Sequence, residues 1–286
     1  MRYVVAKDSR EAVALLNTGE DARLLAGGTD VLVRMKLGGE APDLLVDVKS
    51  IGGFSDIISE DGGFRIGAAV SGAEMGEHTA LKAMWPGVVE AVELIGSTQV
   101  QGRATMVGNL CNGSPAADSV PAMLAAGAMA RVEGPTGIRD VSVADLLEGP
   151  GKTTLGKAEL ISSVFLPART QNAGDAYLRF IPRTEMDIAV ASAGVSLVLD
   201  DEGRVVEAEV ALGAVAPTAV LVPDAAAALL GSKLDAQALA ACAGACAAAC
   251  NPIDDKRGTV EFRTQIAGVM ATRATKIAYS RAGGSL

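Results

Sequence analysis

The chain has 286 residues, 34 acidic against 25 basic, a net charge of −9, an apolar fraction of 49% and only 3% aromatics. That length suggests about two domains, with cores built from Ala, Val, Leu and Ile. An acidic chain with three Tyr and one Trp lacks the basic patches and stacking platforms of nucleic-acid binders. A single histidine, His78, excludes a His-rich metal site and leaves one candidate for any His-dependent triad. The cysteines Cys111, Cys242, Cys246 and Cys250 contain no C-x2-C pair, which argues against a zinc ribbon or a self-contained iron–sulfur cluster. Residues 1–8 carry no apolar signal-peptide core, and no stretch reads as a membrane span. The expected setting is the cytoplasm, with reduced thiols.

In chain order, residues 9–17 predict a helix with Ser9 as N-cap, and residues 23–26 a short buried strand. Gly27-Gly28-Thr29-Asp30 follows, then a helix over 31–37 stopped by Gly38-Gly39, then a strand over 44–48. Strand, helix and strand in succession predict a small parallel βαβ unit. The next elements are a strand at 64–68, helices at 71–77 and 85–95 with Pro86 in the first turn, and a long polar loop over 96–118. An apolar helix over 120–127 and strands at 130–132 and 161–166 complete this part. A polar stretch at 167–174 marks a boundary. Beyond it come strands at 177–181, 193–199 and 205–212, with a hairpin turn at 200–203. Helices at 223–230, 235–250 and 260–279 end the chain. The expected fold class is α+β: a βαβ subdomain over about 1–55, a middle α+β subdomain over 56–172, and a C-terminal domain of antiparallel sheet plus helices over 173–286.

Two segments are candidates for chemistry. In Ala26-Gly27-Gly28-Thr29-Asp30 the adjacent glycines let backbone N–H groups converge, and the following helix start favours an anion such as phosphate. The same residues also suit a plain turn with Thr29 or Asp30 as helix cap. The segment is neither a P-loop nor a G-x-G-x-x-G fingerprint. The loop over 96–118 offers Thr105, Asn109, Asn112, Ser114 and Asp118 without a nucleophile–base pair. That set suits holding a polar ligand rather than hydrolysing one. His78 reads as a surface or capping residue. Cys242, Cys246 and Cys250 recur along one helix face and read as packing, whereas Cys111 lies in the candidate ligand loop.

With these motifs in hand, the chain resembles the FAD-binding subunit of the molybdenum hydroxylases, the group of aerobic carbon monoxide dehydrogenase and xanthine dehydrogenase. The resemblance spans essentially the full length. It rests on residues 26–30, on Ser97-Thr98-Gln99-Val100 through Thr105, Gly108 and Asn109, and on Asn112 through Asp118. It continues at Arg183 with Asp187-Ile188-Ala189 and at residues 252–258. The resemblance implies a noncovalent FAD whose pyrophosphate lies between the two glycine-containing segments. Ala26, Gly27, Gly28, Thr29 and Asp30 would wrap the phosphates, and Thr105, Val107, Gly108 and Asn109 would form the second wall. Ser114 and Asp118 would bind polar groups of the cofactor, Ile95 and Ile161 would line it, and Arg179 stands where relatives often carry a Lys near the flavin.

Departures from the family pattern are Val107 where relatives commonly have a Gly, Arg179 for Lys, and an aliphatic Ile95 where some have an aromatic. The family also implies a small partner with 2Fe–2S clusters and a large partner with the molybdenum cofactor, in a dimer of heterotrimers. No catalytic residue and no metal ligand is expected on this chain itself. Two rival readings are a free-standing FAD-dependent oxidoreductase with its own small-molecule substrate and a flavin-free interaction subunit.

Overall fold

The computed structural model describes residues 1–18, 21–38 and 41–285. The chain opens with β1 (Arg2–Val5), α1 (Ser9–Leu16), β2 (Ala22–Leu25), α2 (Val31–Lys36) and β3 (Leu44–Asp47). These strands form a parallel sheet in the order β1-β3-β2. The expected β2-α2-β3 unit is present, and β1 is a further strand that sequence reading missed. All four residues of the central β3 are buried. The N-cap of α1 is Asp8, one residue before the expected Ser9, because its carboxylate accepts the Glu11 N–H at 2.8 Å. The helix α2 ends at Lys36; of the expected stop, Gly38 has φ +86°, and Gly39 lies outside the described residues.

The middle unit runs through β4 (Ile57–Glu60), β5 (Gly63–Gly67), α3 (Gly72–Glu77), α4 (Thr79–Met84), α5 (Pro86–Glu93), α6 (Thr98–Gln101), α7 (Met106–Cys111) and α8 (Ser119–Ala125). It continues with β6 (Met129–Gly134), β7 (Gly137–Ser142), β8 (Leu147–Gly149), β9 (Lys152–Thr153) and β10 (Leu160–Leu166). Five of these strands form an antiparallel sheet in the order β4-β5-β10-β6-β7. Ser71 and Glu74 make a capping box at α3. His78 caps α4, its Nδ1 accepting the Leu81 N–H at 3.1 Å, and its ring meets Phe64 edge-on.

The stretch over 96–118 is not an open loop: α6 and α7 fold within it. Met106, Val107 and Leu110 are buried along one face of α7, and Thr105 caps it by accepting the Gly108 N–H at 2.9 Å. Gly108 and Asn109 disguise this short helix in the sequence.

The last part holds β11 (Ala173–Phe180), β12 (Ala191–Leu199), β13 (Val205–Gly213) and β14 (Val220–Leu221), then α9 (Pro223–Ala227), α10 (Ala236–Ala248) and α11 (Val260–Arg281). The strands pair antiparallel in chain order. The expected α+β organisation, a parallel βαβ part, a middle part of helices on an antiparallel sheet and a C-terminal antiparallel sheet with helices, is therefore the one observed. Asp200 closes the β12–β13 turn by accepting the Glu202 and Arg204 N–H groups. Cys242 and Cys246 are buried in one core with Ala267, Ala271 and Ala274 of α11, so these thiols pack as small apolar groups. Among the described residues no helix is long and apolar enough to cross a membrane.

Candidate functional site

A cleft of about 580 Å³ lies between the parallel unit and the middle unit. Its size falls within the range of small-molecule sites. One wall is the turn after β2: Ala26, Gly27, Gly28, Thr29 and Asp30 all line it. The other wall comes from the segment after α5, with Ile95, Thr105, Val107, Gly108 and Asn109, and Ile161 of β10 adds an apolar surface.

The glycines are there for physical reasons. A Cβ on Gly27 would lie 1.7 Å from the Arg103 carbonyl oxygen, so the two walls touch backbone to backbone at this point. Gly28 has φ +74°, a conformation that side chains disfavour. The second wall is held in turn. The Gly72 N–H donates to the Ala104 carbonyl at 2.8 Å, and Ser71 pairs with Thr105 as an antiparallel bridge. Asn109 Oδ1 accepts from both the N–H and the hydroxyl of Ser119, at 3.1 and 2.8 Å, which fixes this side chain against α8. Val107 is buried, so its β-branched side chain is absorbed by the core while the residue still borders the cleft.

Asp30 occupies the N-cap position of α2, yet its side chain makes no cap hydrogen bond. Its Oδ1 instead accepts from Asn112 Nδ2 at 3.0 Å. Asp30 is exposed overall, but partial desolvation of its carboxyl at the cleft raises its pKa, and the Arg34 charge opposes that shift. Cys111, at the end of α7, is exposed and borders the cleft.

Three expected contacts sit elsewhere. Ser114 lies outside the cleft lining, its hydroxyl accepting the Ala116 N–H at 3.2 Å. Asp118 is buried behind the wall, where its carboxylate accepts from Tyr177 at 2.8 Å and from Arg179 at 2.6 Å. Burial pushes the Asp118 pKa up to about 6 against the pull of Arg179 and Tyr177. The Arg179 side chain is likewise largely buried; its Nη1 makes this ion pair, while its Nε has no hydrogen-bond partner. Sequence reasoning missed Arg34, Thr153, Leu155 and Lys157, which also border the cleft. Arg34 stands one helical turn after Asp30, which was the only available signal; the β9–β10 residues had none.

The donor set suits a nucleotide-type cofactor. It combines glycine turns that border the cleft without side chains, a close backbone cradle that a Cβ on Gly27 would fill, and an apolar end at Ile95 and Ile161. Comparison with known proteins agrees. Residues 1–169 match the family described as the FAD binding domain in molybdopterin dehydrogenase, and residues 176–278 match the CO dehydrogenase flavoprotein C-terminal domain. The chain is 34% identical to the carbon monoxide dehydrogenase medium chain of Hydrogenophaga pseudoflava, over 98% of this chain and 97% of that one. It is 30% identical to the xanthine dehydrogenase FAD-binding subunit of Escherichia coli O157:H7, over 99% and 98%. A solved carbon monoxide dehydrogenase from Hydrogenophaga pseudoflava, lacking the Mo-pyranopterin moiety of its cofactor, superposes with a TM-score of 0.94 at 35% identity, covering 98% of both chains.

Proposed function

Since the chain belongs to the family of FAD-binding domains of molybdopterin dehydrogenases, we propose that it is the electron-transfer flavoprotein subunit of a molybdenum hydroxylase. Its cofactor is FAD, held in the cleft between the two glycine-containing turns. Bound FAD supplies exchange of one or two electrons, which suits a relay from one-electron clusters to an external acceptor. The partners are a small 2Fe–2S subunit and a large molybdenum subunit, assembled as a dimer of heterotrimers in the cytoplasm. Substrate oxidation belongs to the large partner.

The observation that carries this reading is the backbone contact of Gly27 with Arg103, which forms one cleft from two distant turns. Gly27, Gly28, Thr29 and Asp30 present backbone to the pyrophosphate. Thr105 spends its hydroxyl on the Gly108 N–H and so fixes the opposite wall. Ile95 and Ile161 exclude water from the flavin end. Ser114, Asp118 and Arg179 act from outside the cleft lining, Asp118 and Arg179 as an ion pair behind the wall. We also propose the division into 1–172, with subdomains 1–55 and 56–172, and 173–286. Two hydrophobic cores support it, one drawn mainly from residues 6–166 and one from residues 176–282.

Acid release of the chromophore from the purified chain tests the cofactor. Free FAD is expected; FMN, or colour that stays with the denatured chain, would overturn the assignment. Stopped-flow spectra test the relay. The hydroxylase substrate should bleach the flavin of the assembled complex and leave that of the isolated chain oxidised. Rapid bleaching of the lone chain would make it a free-standing oxidoreductase.

A further inference from the structure

The two cleft walls are joined a second time, by side chains. Asn112, the C-cap residue of α7, donates from Nδ2 to Asp30 Oδ1 at 3.0 Å and accepts at Oδ1 from Arg34 Nη2. One amide thus reads two side chains of the opposite wall, 82 and 78 residues away in sequence. All three residues border the cleft, and Asp30 and Arg34 are exposed, which places the tie at the cleft's rim.

The tie is directional. Turning the amide over would set its NH2 against the guanidinium and its oxygen against the carboxylate. Asparagine is therefore the side chain of this length that serves both partners at once. Asp30 also leaves the α2 cap unmade to take part. The helix it precedes contributes no fully buried residue, so α2 owes little of its position to core packing and depends more on such side-chain links.

We propose that Asp30, Asn112 and Arg34 form a clasp that must open for FAD to be taken up or released, so that Asn112 is a positioning residue governing the rate of cofactor exchange. This rests on the cleft being the FAD site. A clasp across a rim slows passage in both directions. Its loss therefore raises the association and dissociation rates together and leaves the dissociation constant nearly unchanged, whereas losing a direct contact with the cofactor raises only the dissociation rate.

The test uses the full chain. Apoprotein mixed with FAD in a stopped-flow instrument gives the association rate from flavin fluorescence, and large dilution of the holoprotein gives the dissociation rate. Asn112→Asp keeps the acceptor for Arg34 and sets a second carboxylate against Asp30. Both rates should rise about fivefold, the effect of a lost charge-assisted hydrogen bond at a half-exposed site. Asn112→Ala removes both bonds of the tie without adding charge, and should raise both rates at least as much. In the double variant Asp30→Asn with Asn112→Asp, the new amide donates to the new carboxylate and Arg34 keeps its partner. Both rates should fall back toward wild type, a non-additive recovery that a merely structural role would not give. Unchanged rates in both single variants, a rise confined to dissociation, or no recovery in the swap would each overturn the clasp. A wild-type chain that binds no FAD would overturn the cofactor reading with it; FAD binding with unmoved rates overturns the clasp alone.

Discussion

Gly27→Ala adds one methyl group at the point where the cleft walls meet. That carbon would sit 1.7 Å from the Arg103 oxygen, 2.6 Å from its carbonyl carbon and 3.2 Å from the Ala104 nitrogen. All three neighbours are backbone, so no rotamer change relieves the clash. The turn and the second wall must part by about 1.5 Å to restore ordinary contact, and overpacking of this kind costs about 1–3 kcal/mol. If that cost falls on the cofactor-competent arrangement, FAD affinity drops by about 5- to 150-fold, the same energy expressed as a binding ratio. The assay is titration of apoprotein with FAD by flavin fluorescence, with circular dichroism to show that the fold persists. Gly28→Ala is the control. There the nearest atoms are the Leu25 and Leu32 side-chain ends at 2.9 and 3.0 Å, which can move, and the positive φ costs about 1–2 kcal/mol. The larger Gly28→Val should still release FAD while the chain stays folded. Wild-type FAD affinity in Gly27→Ala, with unchanged thermal stability, would refute the claim that these turns form one cradle.

Asp118 gives a pH prediction. Its folded pKa of about 6 lies above the unfolded carboxyl's ~4, so the native state holds the proton longer and this group's contribution to stability declines as pH rises from about 4 to 6. Asp118→Asn should flatten that part of the stability profile in denaturant melts; an unaltered slope would assign it to other groups. Arg263 gives a stability prediction. It donates to the Val190 and Ala214 carbonyls and to Asp255, at 2.8, 3.3 and 2.6 Å. Arg263→Leu leaves the two buried carbonyls without this donor, while Asp255 keeps its bonds from the Arg257 and Gly258 N–H groups, and should cost about 1–3 kcal/mol, read as a lower unfolding temperature. The folded variant should keep its FAD affinity, because none of these groups borders the cleft.

Most of the fold was legible because its signals are local. The near-continuous apolar run at 44–48, the Asp200-Asp201-Glu202-Gly203 turn and the Ala-rich periodicity of α10 each carry their own pattern. Strand β1 was not legible: Tyr3 and Val5 are exposed, so no buried alternation appears. The edge strand β7 reads as polar for the same reason. The glycines of the cleft were visible as turn formers. What the sequence could not show is that Gly27 faces Arg103, since that contact joins residues 76 positions apart. Asp118 was expected to touch the cofactor and sits instead behind the wall, because its partners Tyr177 and Arg179 lie on β11, beyond the reach of any local pattern.

That reach across the chain explains what the C-terminal sheet contributes to a cleft it does not line. Helix α8 is buried along its whole length. A Cβ on Gly194 of β12 would strike the Pro121 oxygen at 2.5 Å, and one on Gly213 of β13 would strike the Pro121 ring at 2.7 Å, so both strands press directly on α8. The first residue of that helix, Ser119, holds Asn109 of the cleft wall, and its neighbour Asp118 is pinned to β11 through Tyr177 and Arg179. The second wall is therefore braced from behind by a sheet that never touches the cleft. The first wall continues β2, which pairs along the buried β3, and Leu24 and Ala26 pack against the core. It meets the braced wall at the Gly27 contact and at the Asp30–Asn112–Arg34 tie, so both walls reach the cleft from elements anchored in their own sheets.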